Sequence, residues 1–414
     1  MNEKRAAIFA AGVAAVFAPL AARAQAPGTG AATDDDRRVV VRLGEQITHD
    51  DNLYRLPDGL DPSLVLGPGA SRDDSIGTTS LALLGHWKQA RQQVVLDTAL
   101  AANRFAENTD LDYTSGHGAV DWNWQLGHRW SGLLEARHEQ TLASFANTRS
   151  LEKDVFTTSG YRGQLNFDVG PRWRLIGGAR DATTEHENAA RRGDDADLED
   201  ASLGAEYHTP RDSTLGWEYR RSSAIYPSAP LVPGGGSASD YEDRRAAMNL
   251  GYPPSEKIAL KASVGYVERT YLHAEGGNFS GDVWSVILQW TPAAKMQLAI
   301  ESWRDLKAYL DAESNHFVSN GESFVAEWLP VDAIAVALQI SREDQLYIGA
   351  AQDPLLTLLP PRKDEPTTES VSVTYKLRER ATFNVSYRSE ARDSNTFRFD
   401  YDAAAVTVGA EVKF

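Results

Sequence analysis

Eight compact turn signals recur along this chain, and they constrain its fold more than any single motif. They are "WKQAR" (87–91), "LGHRW" (126–130), "VGPRW" (169–173), "HTPRD" (208–212), "YPPSEK" (252–257), "TPAAK" (291–295), "LPVDA" (329–333) and "LRERA" (377–381). Their spacing is about forty residues, room for two spanning strands of roughly ten residues each plus one longer loop. Long polar stretches fall between them, at 183–200, 222–243 and 346–368. Short turns at one end and long loops at the other is the asymmetry of an outer-membrane barrel, and a β-sandwich has no reason to sort its loops this way. A propeller also repeats at this length. It needs four short strands per blade and a repeated signature, whereas each period here holds two long strands and no repeated motif.

The segments between the turns alternate with a period of two, as strands with one apolar face do. Val94, Leu96 and Leu100 share a face against Val95, Asp97 and Asn103. Tyr161, Leu165, Phe167 and Val169 oppose Arg162, Gln164, Asn166 and Asp168, and Ile258, Leu260, Val264 and Tyr266 oppose Lys257, Lys261 and Ser263. In a bilayer the apolar side faces lipid, the polar side faces an aqueous lumen, and the sheet must close because every backbone group needs a partner. Trp87, Trp130, Trp173, Trp290 and Trp328 lie beside the turns. There an indole keeps its ring in apolar surroundings and its N–H near water. The expected fold is therefore all-β: a transmembrane antiparallel barrel of about 18 strands. Sixteen is the alternative, since the segment near 39–48 is the weakest strand. Short turns are expected on the periplasmic side and long loops outside.

Both ends agree with that reading. The chain closes on "AVTVGAEVKF", in which Val406, Val408, Ala410, Val412 and Phe414 share the apolar face. A terminal aromatic on a last strand is the assembly signal of such barrels, so Phe414 is expected to serve the barrel assembly machinery. At the other end a charged start, an alanine-rich apolar run and "AQA" at 24–26 have the form of a cleaved secretory signal. The expected organisation is a signal peptide at 1–26, a short periplasmic segment at 27–38 and a barrel at 39–414. So short a segment leaves no room for a plug domain before the first strand.

Composition narrows the function. There is no cysteine, hence no disulfide framework, lipid anchor or thiol site. The formal charge is −16, and about −18 without residues 1–26, which disfavours nucleic acid as a partner. Outer-membrane lipid and cation-rich lipopolysaccharide remain open. The nine histidines are scattered without metal-ligand spacing, and no metal or cofactor is expected. Asp194, Asp195, Asp197, Glu199 and Asp200 read as a solvated charge run rather than a calcium loop. "HFVSNG" at 316–321 resembles the His-x-Ser-Asn-Gly stretch of outer-membrane phospholipase A, but His316 and Ser319 are three apart where that family places two. Positions three apart do not share a strand face, and the stretch reads as loop, so no enzyme is expected.

"DNLYRLP", Asp51 to Pro57, follows the first strand: Asp51, Asn52, Leu53, Tyr54, Arg55, Leu56, Pro57. Turn chemistry accounts for its Asp, Asn and Pro but not for Tyr54 and Arg55. With a signal peptide and a barrel of this length, the segment resembles the EpsL family of outer-membrane β-barrels associated with exosortase-B exopolysaccharide gene clusters. The resemblance implies export of a polysaccharide across the outer membrane, with further periplasmic proteins as partners. Predicted lumen faces carry Arg137, Arg162, Arg174, Arg180, Arg220, Lys261 and Arg388, together with Glu135, Glu139, Glu218 and Glu301. A mixed, locally basic wall suits an anionic polymer. The same inventory suits a general diffusion porin, and an adhesive or structural barrel is the third alternative. Arg162 and Arg174 flank the Gly170-Pro171 turn and are expected to lie near each other on paired strands.

Overall fold

A computed structural model describes residues 37–148, 150–231, 235–274, 277–309, 314–348, 360–378 and 380–414. The proposed signal peptide, most of the segment at 27–38 and parts of the loops at 222–243 and 346–368 lie outside the described residues. Eighteen strands follow one another in chain order. They are β1 (Arg37–Asp50), β2 (Asp74–Gln89), β3 (Gln92–Phe105), β4 (Tyr113–Leu126), β5 (Trp130–Leu142) and β6 (Val155–Val169). Next come β7 (Trp173–His186), β8 (Ala196–His208), β9 (Thr214–Ile225), β10 (Tyr241–Ser255), β11 (Ile258–Tyr271) and β12 (Phe279–Ala293). The last six are β13 (Met296–Ala308), β14 (His316–Val331), β15 (Ile334–Ile348), β16 (Lys363–Leu377), β17 (Ala381–Ser394) and β18 (Tyr401–Lys413). Each pairs antiparallel with the next, and β1 pairs with β18 from Arg42↔Lys413 to Asp50↔Ala405. The sheet therefore closes and has no edge. Among the described residues no helix is long and apolar enough to cross a membrane.

The alternation sorts the side chains. Leu43 is level with Val412 and Ile47 with Val408 on neighbouring strands, and all four are exposed on the outside. Trp130, Trp173, Trp290 and Trp328 are also exposed there, near the short-turn end. The opposite face is the concave one: Arg245 on β10 reaches Asp305 on β13 at 3.4 Å, a contact only the inside of the curve permits. Hairpin turns occupy all eight positions expected from the sequence. Gly127 (φ 65) and Gly170 (φ 68) take the left-handed backbone that two of these turns require.

Three expectations need correction. The strands run further than expected at the long-loop end: β7 continues to His186 and β8 starts at Ala196, so half of the polar stretch 183–200 is strand. The same holds for β9 and β10 beside 222–243, and for β15 and β16 beside 346–368. Pairing, not hydropathy, sets strand length, and polar side chains above the apolar zone do not interrupt it. The first strand likewise spans 37–50 rather than 39–48. Residues 316–321 open β14 and are not a loop.

Candidate functional site

The first long loop (51–73) turns back over the long-loop end of the barrel, and the Asp51–Pro57 segment builds the fold-back. The Asn52 side chain braces it. Its carbonyl oxygen accepts from Leu56 N at 2.8 Å, and its amide nitrogen donates to Leu56 O at 2.9 Å and to Asp402 O at 2.7 Å. Asp51 forms a two-way tie with Ala404 ahead of β18 residue 405: Asp51 N donates to Ala404 O (3.0 Å), and Ala404 N donates to the Asp51 carboxylate (2.6 Å). Arg55 sits at φ 52, a costly conformation for a residue with a Cβ. Its guanidinium binds Asp50 at 2.9 Å and Glu390 at 2.9 Å, so two walls hold the turn. Burial alone would lower the Arg55 pKa, but the Glu390 and Asp50 carboxylates outweigh it and raise it. Pro57 O and Leu60 O both accept from Arg72, and Leu53 N donates to Arg72 O.

Apolar packing completes the roof. Tyr54, Leu56, Phe105, Leu111 and Phe145 form one buried cluster, joining the first, second and third long loops. Tyr54 and Phe145 rings lie 4.8 Å apart, and the Tyr54 hydroxyl donates to Asn108 Oδ1 at 3.0 Å. Burial, with the Asp110 and Asp74 carboxylates nearby, pushes the Tyr54 phenol up to about 12.

The third loop (143–154) carries the roof across to the other wall. Arg392 on β17 donates to Ala146 O at 2.6 Å and Asn147 Oδ1 at 3.0 Å. Arg398 donates to Arg55 O at 3.0 Å and Phe145 O at 3.4 Å, while the Tyr309 hydroxyl donates to Asn147 O at 3.4 Å. Loops rooted on β1, β5 and β13 thus meet over the lumen. Arg362 lies against them, ion-paired with fully buried Asp364 (Nε–Oδ1 3.0 Å) and stacked 3.3 Å above the Phe399 ring. A second buried cluster lies among β9, β10, β11 and β14, where Arg269 binds Asp243 at 2.7 Å and covers the Tyr241 ring at 3.7 Å. Beneath the roof a cavity of about 290 Å³ opens between Gln46, Thr48, Thr78, Asn103, Arg55 and Phe145.

Register places each proposed pathway residue on the inner face. Arg137 is paired with Glu135 and lies 3.6 Å from Asp121. Arg174 binds Asp168 at 2.7 Å, and Arg220 binds Glu218 at 2.6 Å. Arg388 pairs with Glu390. Lys261 and Glu301 both lie in register with Ile287 on β12, one on each side. The expected neighbourhood of Arg162 and Arg174 is not formed. Residues equidistant from a hairpin turn pair, so Arg162 faces Arg180 and Arg174 faces Asp168. His316 and Ser319 are both fully buried, with His316 bonded to Tyr271 (2.9 Å) and Ser319 to Glu343 (2.7 Å), so they do not form a nucleophile–base pair. Among the described residues no cluster could hold a metal, and Asp194 and Asp195 are taken by Arg191 and His186.

Sequence reasoning missed Arg392, Arg398, Arg362 and Arg245. The last two of these ion-pair inside the barrel and the first two tie the roof, but all four read as ordinary loop or strand cations. An arginine two residues from an acid on the same strand face, as in Arg362-Lys363-Asp364, was the available signal.

Residues 248–414 match the family model "Putative beta-barrel porin 2". No curated protein matches the chain. Among solved structures, OpdQ of Pseudomonas aeruginosa is 10% identical with a TM-score of 0.48, over 92% of this chain and 99% of that one. OccK2 (OpdF) of the same organism, in complex with glucuronate, is 12% identical with a TM-score of 0.48, over 92% and 98%. A BenF-like porin from Pseudomonas fluorescens Pf-5 is 11% identical with a TM-score of 0.48, over 92% and 99%. The described residues form a closed 18-stranded antiparallel barrel, and its C-terminal part matches a porin family model.

Proposed function

We propose that this protein is an outer-membrane porin passing small polar solutes, with a preference for anions. The observation that carries this reading is the roof: loops clamped by Arg392, Arg398 and Arg55 meet above a charged, closed lumen. A path narrowed by packed loops suits small solutes better than a polymer under continuous transport. Purified protein in planar bilayers should give discrete conductance steps, with a reversal potential shifted toward the anion in a salt gradient. A folded barrel that never conducts overturns the reading. Outer-membrane lipid and lipopolysaccharide are its expected surroundings, and the assembly machinery is expected to engage Phe414. Fractionation with the outer membrane tests the location, and recovery as a soluble protein would contradict it.

Polysaccharide export is the second reading, favoured by one observation. The Asp51–Pro57 segment that resembles the EpsL family is the part of the chain that builds the roof. In that reading the roof is a gate, opened by a periplasmic export partner or by the polymer. Loss of surface polysaccharide on gene deletion, restored by the parent gene, would favour export. Normal polysaccharide with altered uptake of small anions would favour the porin.

A further inference from the structure

Two pairs of arginines face each other directly across neighbouring strands of the inner wall. Arg162 on β6 is level with Arg180 on β7, and Arg220 on β9 is level with Arg245 on β10. Like charges directly opposite in a sheet destabilise it. One such pair needs compensation, and two on the same wall ask for a reason.

Compensation is present but incomplete. In register, Glu135 flanks Arg162 and Asp200 flanks Arg180, so the line reads acid, base, base, acid across β5 to β8. Arg180 reaches Asp200 only at 4.0 Å, too long for a hydrogen bond. The line through Arg220 and Arg245 holds Ser202 and Val267 instead of acids. Arg220 spends two donors on one oxygen of Glu218, and Arg245 reaches Asp305 only at 3.4 Å. The side chains of Arg180, Arg220 and Arg245 stay between 33% and 40% exposed. A guanidinium has five donors in a planar fork that fits carboxylate, phosphate or sulfate oxygens. Arg180 in the first pair, and Arg220 and Arg245 in the second, thus keep donors exposed toward the lumen.

We propose that these pairs are two anion sites that act on one ligand, an oligo-anion such as an acidic oligosaccharide, with one acidic group per pair. Arg180 and Arg220 are two strands apart and two residues out of step, since Arg180 is level with Asp200 and Arg220 with Ser202 on β8, which places their backbones about 12 Å apart. That separation exceeds a single carboxylate and suits acidic groups on non-adjacent units of a short chain. The inference rests on the porin reading for its route of access, and names the substrate class. The flanking acids then serve release: they neutralise the wall between ligands and keep each site weak enough to let go.

The experiment titrates trigalacturonate, monomeric galacturonate and neutral maltotriose into the folded barrel in detergent, by calorimetry at low salt. The same samples are run in planar bilayers. Trigalacturonate should bind saturably, galacturonate at least about tenfold more weakly, and maltotriose not at all. Arg180→Gln and Arg220→Gln should each weaken trigalacturonate about tenfold, as expected for loss of one charge-assisted hydrogen-bonded contact, while galacturonate changes less. Each variant relieves a like-charge pair, and heat-modifiable migration checks its fold. Equal binding of monomer and trimer, or unchanged binding in both variants, overturns the proposal. Binding without any conductance would sink the porin reading and leave the sites standing. Conductance without binding would do the reverse.

Discussion

Asn52 and Leu56 are bonded to each other twice, through both ends of one amide side chain, at 2.8 and 2.9 Å. The same amide nitrogen reaches Asp402 O, about 350 residues along the chain. One side chain therefore shapes the turn and fastens it to the last hairpin.

Asn52→Ala should loosen the roof without unfolding the barrel. It leaves Leu56 N and Leu56 O short of partners in a buried place and removes the half-buried bond to Asp402 O, a cost on the order of 2–3 kcal/mol. That cost falls on the loop, because the strands keep their ladders. Expected outcomes are faster proteolysis within residues 51–73 and higher single-channel conductance, at an unchanged β-type circular dichroism spectrum. Protection equal to the parent would show that the apolar cluster holds the turn alone.

Arg392→Lys tests the far anchor. Arg392 is 7% exposed and divides its fork between Ala146 O, Asn147 Oδ1 and, at 3.8 Å, Asp364. Lysine keeps the charge but not the fork. Conductance should rise and fluctuate more, while the barrel still migrates as a folded, heat-modifiable species. Arg392→Ala should go further, because it removes both bonds to the third loop and a second cation 3.8 Å from buried Asp364, which keeps Arg362 as its partner. Parent-like conductance in both variants would mean that the third loop does not limit the path.

Alkaline pH should open the roof. An unperturbed tyrosine ionises near pH 10, whereas Tyr54 in the closed roof is held up to about 12. The opened state therefore loses its proton first. The Tyr54 contribution to closure is intact below pH 10 and is lost progressively as pH rises from 10 toward 12. In bilayer recordings the parent should gain conductance over that window. Tyr54→Phe, which has no phenol to ionise, should show a smaller gain, the remainder coming from the other buried tyrosines. An identical pH profile in both proteins would exclude Tyr54 as a closing contact.

Much of the barrel was legible because its signals are local. Turn residues carry their own conformational preferences, and a period of two states which side chains face out. What could not be read were contacts between distant segments: Asn52 with Asp402, or Ala146 with Arg392. The expectation for Arg162 and Arg174 failed for a simpler reason. Proximity to one turn does not imply pairing: the hairpin fixes partners by equal distance from the turn, and Arg174 belongs to Asp168. The loop at 183–200 was overextended because charge was read as loop, although polar side chains ride on strands once the wall rises above the apolar zone.

The last strand offers the sharpest test of facing in a bilayer. Val408 and Val412 are exposed on the outside, and Thr407, the residue before Val408, points inward toward Thr48, whose hydroxyl lies 2.9 Å away. Phe414 closes the strand on β1, donating its N–H to Val41 O at 2.8 Å and accepting from Val41 N at 3.2 Å. Val412 sits near that short-turn end and Val408 deeper in the apolar band. A lipid-facing arginine costs about 2–4 kcal/mol at the midplane and about 0–1 kcal/mol near an interface. Val408→Arg should therefore lower the folded fraction in lipid vesicles more than Val412→Arg. Thr407→Arg, directed into the lumen, should refold nearly as well as the parent. The measurement is the heat-modifiable fraction after refolding across a urea series. If Thr407→Arg is the damaging change and Val408→Arg the tolerated one, the strand faces the other way and every lumen residue assigned by register from it is reversed.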